Sequence, residues 1–192
     1  MNILVDVDDT LTAFIPQRNL FIKKYIERKG LPYKIKDIYC TKSAEVADWP
    51  LEECCKWWHE EGREEQLKSK TQKNAAQVMQ KIKEMGHNII IVTARPDIYF
   101  PAKEYTEKWL VLNNIPYDKI ITGKLDKKQA MIDNDIKLVI DDSVRTINYA
   151  SELKIKSFMF TSEENKNAKV PAYATRVASW DQILELMTGK AE

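Results

Sequence analysis

Of the short runs in this chain that read as strands, those at residues 3–5, 89–92 and 138–140 are made of Ile, Leu and Val without a break. A strand with one wet face alternates apolar and polar residues, so a strand apolar at every position must be covered on both faces. A parallel sheet held between two layers of helix meets that requirement. Two weaker runs, residues 119–122 and 157–160, bring the expected strands to five.

Helical patterns fill the intervals. Ala75, Val78, Ile82 and Met85 recur at helical spacing before the second run, and Gly86 is placed to end that helix. Tyr105, Trp109 and Leu112 mark a helix between the second and third runs. Shorter helices are expected near residues 126–134, 143–153 and 181–187, the last with Ser179 as its cap. The alternation predicts a doubly wound α/β domain. One stretch departs from it. From about Phe14 to Ser69 there is no convincing strand, only helical segments over residues 20–28, closed by Gly30, and 51–65, opened by Pro50. The expected organisation is therefore a core of residues 1–15 and 70–192 with a small helical cap, residues 16–69, inserted after the first strand.

Composition narrows the class. The 192 residues carry a formal net charge of +1, which gives no reason to expect a nucleic-acid or membrane partner. No apolar run approaches the roughly 20 residues that span a bilayer. The three cysteines, Cys40, Cys54 and Cys55, are odd in number and two are adjacent, a pattern for free thiols in a reducing compartment. With no leader-like segment at the start, a cytoplasmic protein is expected. The five glycines form neither a Walker A loop nor GxGxxG, the two histidines form no HExxH, and the cysteines lack zinc spacing.

The chemistry sits just past the strands. Asp6 and Asp8 follow the first, Thr93 and Arg95 the second, Lys124 and Lys127 the third, and Asp141 and Asp142 the fourth. Ligands of open α/β sheets bind at that carboxyl edge. Carboxylates gathered there repel unless a cation neutralises them, and an all-oxygen donor set suits magnesium. The metal and a lysine can hold a transferring phosphoryl group. One carboxylate can attack phosphorus as a nucleophile, and a second can protonate the departing alcohol and then activate water.

In sequence order, Asp6-Val7-Asp8-Asp9-Thr10, Val92-Thr93-Ala94-Arg95, a lysine at the short helix and Val139-Ile140-Asp141-Asp142-Ser143 resemble the four motifs of the haloacid-dehalogenase (HAD) superfamily. The likeness spans the whole chain and is greatest to the 5′-nucleotidase-like branch. It implies a three-layer Rossmann-like core with a five-stranded parallel sheet, and a magnesium-dependent phosphomonoesterase working through a phosphoaspartate. It also implies Asp6 as nucleophile and metal ligand. Asp8 becomes the general acid/base, with its backbone carbonyl on the metal. Thr93, Ala94, Arg95 and Lys127 bind phosphate, and the Asp141/Asp142 pair completes the magnesium site. Neighbouring side chains at a strand end point opposite ways, so either of that pair can be the ligand. Lys127, 14 residues before Asp141, is the favoured third-motif lysine, with Lys124 and Lys128 as alternatives. Asp9 stands where many relatives carry glycine and has no assigned role.

The expected substrate is a nucleoside monophosphate. A phosphosugar or the 3′-phosphate end of a nucleic acid is the alternative, the latter because Lys119, Lys124, Lys127 and Lys128 lie near one another in sequence. A non-catalytic phosphate-ligand-binding protein is a further alternative. Arg95 reads equally as a contact to phosphate or a substrate carbonyl and as a surface salt bridge. Trp49, Trp57, Trp58 and His59 suggest a stacking platform. Adjacent tryptophans on a helix cannot share a face, however, so at least one of Trp57 and Trp58 is expected to pack the cap.

Overall fold

The computed structural model describes residues 1–97 and 101–189. Six parallel strands form one sheet: β1 (Asn2–Val5), β2 (Asn88–Val92), β3 (Lys119–Ile121), β4 (Ile136–Asp141), β5 (Lys156–Phe160) and β6 (Ala174–Val177), in the order β3-β2-β1-β4-β5-β6. β1 is central. Ile3 lies between Ile89 and Leu138, and Val5 between Ile91 and Ile140. The chain runs outward from β1 through β2 to β3, then returns to β4 on the other side. That reversal makes β1 and β4 the switch point where ligands bind.

The unbroken apolar runs are covered on both faces, as two-sided burial demands. Ile3, Val5, Ile89, Ile91, Leu138 and Ile140 pack on one face against residues of α4 (Ala75–Glu84), α5 (Ala102–Leu112) and α8 (Trp180–Thr188). Leu4, Ile90, Val92 and Val139 face α6 (Lys128–Asp133) and α7 (Val144–Glu152) on the other. Each fully buried Ile, Leu or Val contributes about 1.5–3 kcal/mol.

A sixth strand joins the expected five. β6 has one buried residue, Val177, so its sequence lacks the apolar run that marks a covered strand. Ser179 caps α8 as expected, its side chain accepting from the Gln182 N–H.

Between β1 and α4 lie α1 (Phe14–Lys29), a 3-10 turn (Ser43–Glu45), α2 (Leu51–Trp57), a π-helical turn (Trp58–Gly62) and α3 (Arg63–Leu67). Phe14, Ile22, Tyr25, Ile26, Val46, Trp49, Cys54, Trp57 and Trp58 form a hydrophobic cluster of their own. We propose residues 16–69 as the cap. α1 starts slightly earlier than that boundary, and Ala102 of α5 joins the cap cluster, so cap and core are packed together. Gly30, at φ 63°, ends α1 in the left-handed conformation, after Arg28 and Lys29 in its last turn.

The expected helix over residues 51–65 is continuous but not regular. The π turn inserts a residue between Trp57 and Arg63, and both adjacent tryptophans are buried. Gly62 makes this possible: a Cβ there would lie 2.8 Å from an atom of each indole. Gly62→Ala is therefore expected to destabilise the fold by about 1–3 kcal/mol through overpacking, read as a fall of several degrees in Tm. An unchanged Tm would show that the indoles yield freely.

Candidate active site

The sheet hydrogen bonding runs up to the rim residues themselves. The Asp6 N–H donates to the Ile140 carbonyl at 3.0 Å, and the Thr93 N–H to the Ile121 carbonyl at 3.0 Å. Asp141 is the last residue of β4 and Asp142 lies just beyond the strand. Strand alternation no longer applies at that point. Carboxylate oxygens of Asp6, Asp141 and Asp142 accordingly converge within 4.8 Å of one another, all three residues buried.

Lys127 closes the group. It is the residue before α6, not its first helical residue, and its buried ammonium donates to Asp6 Oδ1 and, at 2.7 Å, to Asp141 Oδ2. Burial alone would lower its pKa, but Asp141 and Asp6 together more than offset that and raise it. One ammonium does not balance three acids. Burial, reinforced by Asp141 and Asp8 against Lys127, pushes the Asp6 carboxyl up to about 7. Burial, with Asp6 and Asp141, raises Asp142 well above the usual carboxylate range. The shortage of positive charge and the all-oxygen donor set both fit a divalent cation.

The two motif-four acids are not equivalent. Both oxygens of Asp141 are engaged, Oδ1 by the Ser143 N–H at 2.8 Å and Oδ2 by Lys127. Asp142 Oδ1 accepts a long bond, 3.4 Å, from the Thr10 hydroxyl, and the Ser162 hydroxyl also approaches its carboxylate, but no cation pairs with it among the described residues, so it is the freer donor.

A cavity of about 540 Å³ opens over this group. Asp6, Asp8, Thr93, Ala94, Arg95, Lys127, Asp141 and Asp142 all line it, so every residue singled out at the strand ends of motifs one, two and four meets in one place with Lys127. The cap supplies Phe14, Arg18, Ser43, Trp58 and Gln66 to the same wall. Trp58 donates its indole N–H to Ser43 Oγ at 3.0 Å, and Trp49 donates to the Ser43 carbonyl at 3.2 Å. Trp57 and Trp49 pack the cap, Trp58 both packs it and lines the cavity, and His59 is exposed.

The other lysines are placed differently from Lys127. Lys119 opens β3, at the opposite end of the sheet from the rim, and donates to Asn134. Lys128 pairs with Glu152, and Lys124 is exposed. Lys124 nonetheless stays at the rim, its N–H donating to the Thr93 carbonyl at 3.1 Å, whereas Lys119 lies at the far end of its strand. Arg95 lines the cavity, and its side chain is buried. It does form a salt bridge, but a buried one: Nε and Nη2 donate to the two carboxylate oxygens of Asp8 at 2.8 and 2.5 Å.

Two contributors were not legible in the sequence. Asn165, in a stretch that reads as a surface loop, is buried and donates to the carbonyls of Asp142 and Phe160, both at 2.7 Å. An asparagine among lysines and glutamates carries no signal of that kind. Asp9 adopts φ 57°, the left-handed conformation that glycine takes freely and aspartate tolerates. Its carboxylate accepts from the Ile15 N–H at 3.1 Å in the first turn of α1, where the N-cap residue is Ala13 and offers no side-chain acceptor.

Known proteins fit this geometry. The family model described as "5' nucleotidase, deoxy (Pyrimidine), cytosolic type C protein" matches residues 1–192. A Bacillus cereus protein named "Putative nucleotidase" is 26% identical over 117 residues, 59% of this chain and 58% of that protein, so the match spans little more than half of the relative. A HAD-superfamily hydrolase from Geobacter sulfurreducens superposes with TM-score 0.69 at 14% identity, covering 97% of this chain and 95% of that one. The D,D-heptose 1,7-bisphosphate phosphatase of B. bronchiseptica, complexed with magnesium and phosphate, gives TM-score 0.59 at 11% identity over 99% of both chains. At such identities these two structures speak for the fold.

Asp9 carries a stability consequence. Burial is the main cause of its raised pKa, about 6 against 3.8, opposed by the Ile15 N–H and reinforced by Asp8. A raised folded-state value favours folding below pH 3.8, and that contribution disappears as pH rises towards 6. Asp9→Asn keeps the acceptor and tolerates the left-handed conformation. In chelator at pH 8 it is expected to stabilise the protein by about 1–2 kcal/mol, and at pH 4 to have little effect. Thermal melts at both pH values check this; equal shifts at both would refute it.

Proposed function

The chain belongs to the 5′-nucleotidase, deoxy (pyrimidine), cytosolic type C family and is a HAD-type phosphatase, and from that premise we propose that it hydrolyses nucleoside monophosphates through a phosphoaspartate on Asp6, with magnesium as its metal. The convergence of Asp6, Asp141 and Asp142 with Lys127 on the cavity floor carries this reading.

Asp6, Asp142 and the backbone carbonyl of Asp8 would hold magnesium, which supplies positive charge against the phosphoryl oxygens. Asp141, with both oxygens engaged, orients Lys127. Thr93 and the backbone that follows it bind phosphate oxygens, and Lys127 neutralises a further share of their charge. An Asp6 carboxylate oxygen attacks phosphorus, the bond from phosphorus to the ester oxygen breaks, and Asp8 passes a proton to the departing alcohol. Water then attacks the phosphorus of the aspartyl phosphate while Asp8 takes up its proton. Phosphate leaves, and the Asp6 carboxylate is restored.

The cavity is of the size that encloses a small molecule, with polar groups on its floor and Phe14, Trp58 and Ile15 on its cap side. That division suits a phosphorylated compound with a flat or apolar leaving group. The reading as a processor of nucleic-acid ends draws less support, because Lys119 lies away from the rim and Lys128 pairs with Glu152.

Purified protein with magnesium is expected to release phosphate from nucleoside monophosphates. Asp6→Asn should lose at least about 10³-fold in kcat, and wild-type rates in that variant would end the proposal. Asp142→Asn is expected to raise the magnesium concentration for half-maximal activity by about tenfold or more. An unchanged requirement would move the ligand role to Asp141.

A further inference from the structure

Arg95 occupies a place that its position after β2 does not suggest. Its side chain is 5% exposed, and it grips Asp8, 24% exposed, with two parallel hydrogen bonds. A fork of this kind fixes the plane of a carboxylate as well as its position, which a point-charge lysine does not do. It still leaves lone pairs of both Asp8 oxygens available to the cavity that Asp8 lines.

The other side of the guanidinium meets both connections between cap and core. Phe14, where the first connection enters α1, places its ring 5.7 Å from the guanidinium carbon. Gln66, at the end of α3 where the second connection leaves the cap, is fully buried. The orientation of its amide that satisfies both its oxygen and its nitrogen turns the oxygen onto Arg95, where it accepts from Nη1. Thr106 of α5 accepts from Nη1 at 3.2 Å. Ser69 then ties the second connection to the core. Its hydroxyl donates to the Gln66 carbonyl at 2.7 Å, and its own carbonyl accepts from the Trp109 indole at 2.9 Å.

We propose that Arg95 is a positioning residue, holding Asp8 in register with the leaving group and tying that register to the seating of the cap through Phe14 and Gln66. The inference rests on the role given to Asp8 above. A substrate contact by Arg95 would need its donors to face the cavity contents, whereas they are engaged by Asp8, Thr106 and Gln66. A buried ion pair that served the fold alone would have no reason to take its carboxylate from the residue facing the leaving group.

The distinguishing readout is the leaving group. An alkoxide must be protonated as it departs; p-nitrophenolate leaves without that help. Arg95→Met is expected to lose about 100-fold in kcat/KM, which reports the steps up to departure of the leaving group, on a nucleoside monophosphate but only severalfold on p-nitrophenyl phosphate. Arg95→Lys keeps the charge and loses the fork, and is expected to restore little on the nucleotide. Gln66→Leu should show the same selective loss in milder form, and adding it to Arg95→Met should cost nothing further. If Arg95→Met does not fold, Gln66→Leu and Thr106→Val carry the comparison. Equal losses on both substrates, a change confined to KM, or full rescue by lysine would overturn the inference while leaving the nucleotidase reading intact. Wild-type protein inert on both substrates would instead overturn that reading, and this one with it.

Discussion

Three carboxylates and one ammonium share a space largely closed to water, and much of the structure follows from keeping them there. Two carboxylates at the 4.8 Å limit of this group repel by roughly 3–4 kcal/mol at an effective dielectric near 20, before the loss of hydration is counted. Lys127 offsets only part of that. The stabilisation comes from elsewhere, from strands buried on both faces and the helices that cover them. The site is affordable because it sits at the end of β1 and β4, adjacent strands in the middle of the sheet whose residues leading to the rim are all buried. A cation completing the charge balance would then bind tightly for the same reason that its absence is costly.

Rigidity and mobility are divided along the same line. Asp6, Thr93 and Asp141 are held by continuations of the strand ladder, so their backbones move only with the sheet. Lys127 is fixed by the residues it neutralises, and Asp142 by the brace from Asn165. Asp8 is different. It lies past the strand, and its side chain is set by Arg95, which also touches both routes into the cap. The group proposed to move a proton is thus the one whose position depends on the part of the molecule best placed to respond to substrate.

The legible part of this architecture was the part dictated by two-sided burial. Unbroken apolar runs gave β1, β2 and β4, and the polar residues that follow each run gave the rim, because a parallel sheet places all those ends on one edge. β6 was not legible, since an outer strand with one buried residue, Val177, has no such run. The partner of Arg95 and the placement of Lys119 were hidden for another reason. Sequence proximity places a residue near an element but does not say which way a long side chain reaches, and Arg95 reaches back 87 residues to Asp8. Asn165 and Gln66 act through amides, which bury only when every donor and acceptor is met. That condition depends on the surroundings and leaves no mark in the residue itself.

The tryptophan pair makes the limit of periodicity concrete. On a regular helix adjacent side chains diverge by about 100°, so a reading at 3.6 residues per turn assigns one of Trp57 and Trp58 inward and the other outward. The π turn that begins at Trp58 alters the count, and the missing side chain at Gly62 opens the space into which both rings turn. Trp57 can then fill the cap cluster while Trp58, anchored through Ser43, also forms wall of the cavity. An irregular backbone is doing what no choice of side chain on a regular helix could do: it puts two consecutive indoles out of water, one for stability and one within reach of whatever the cavity holds. The cap therefore owes its aromatic wall to a local departure from helical order, just as the core owes its acid cluster to the point where strand order ends.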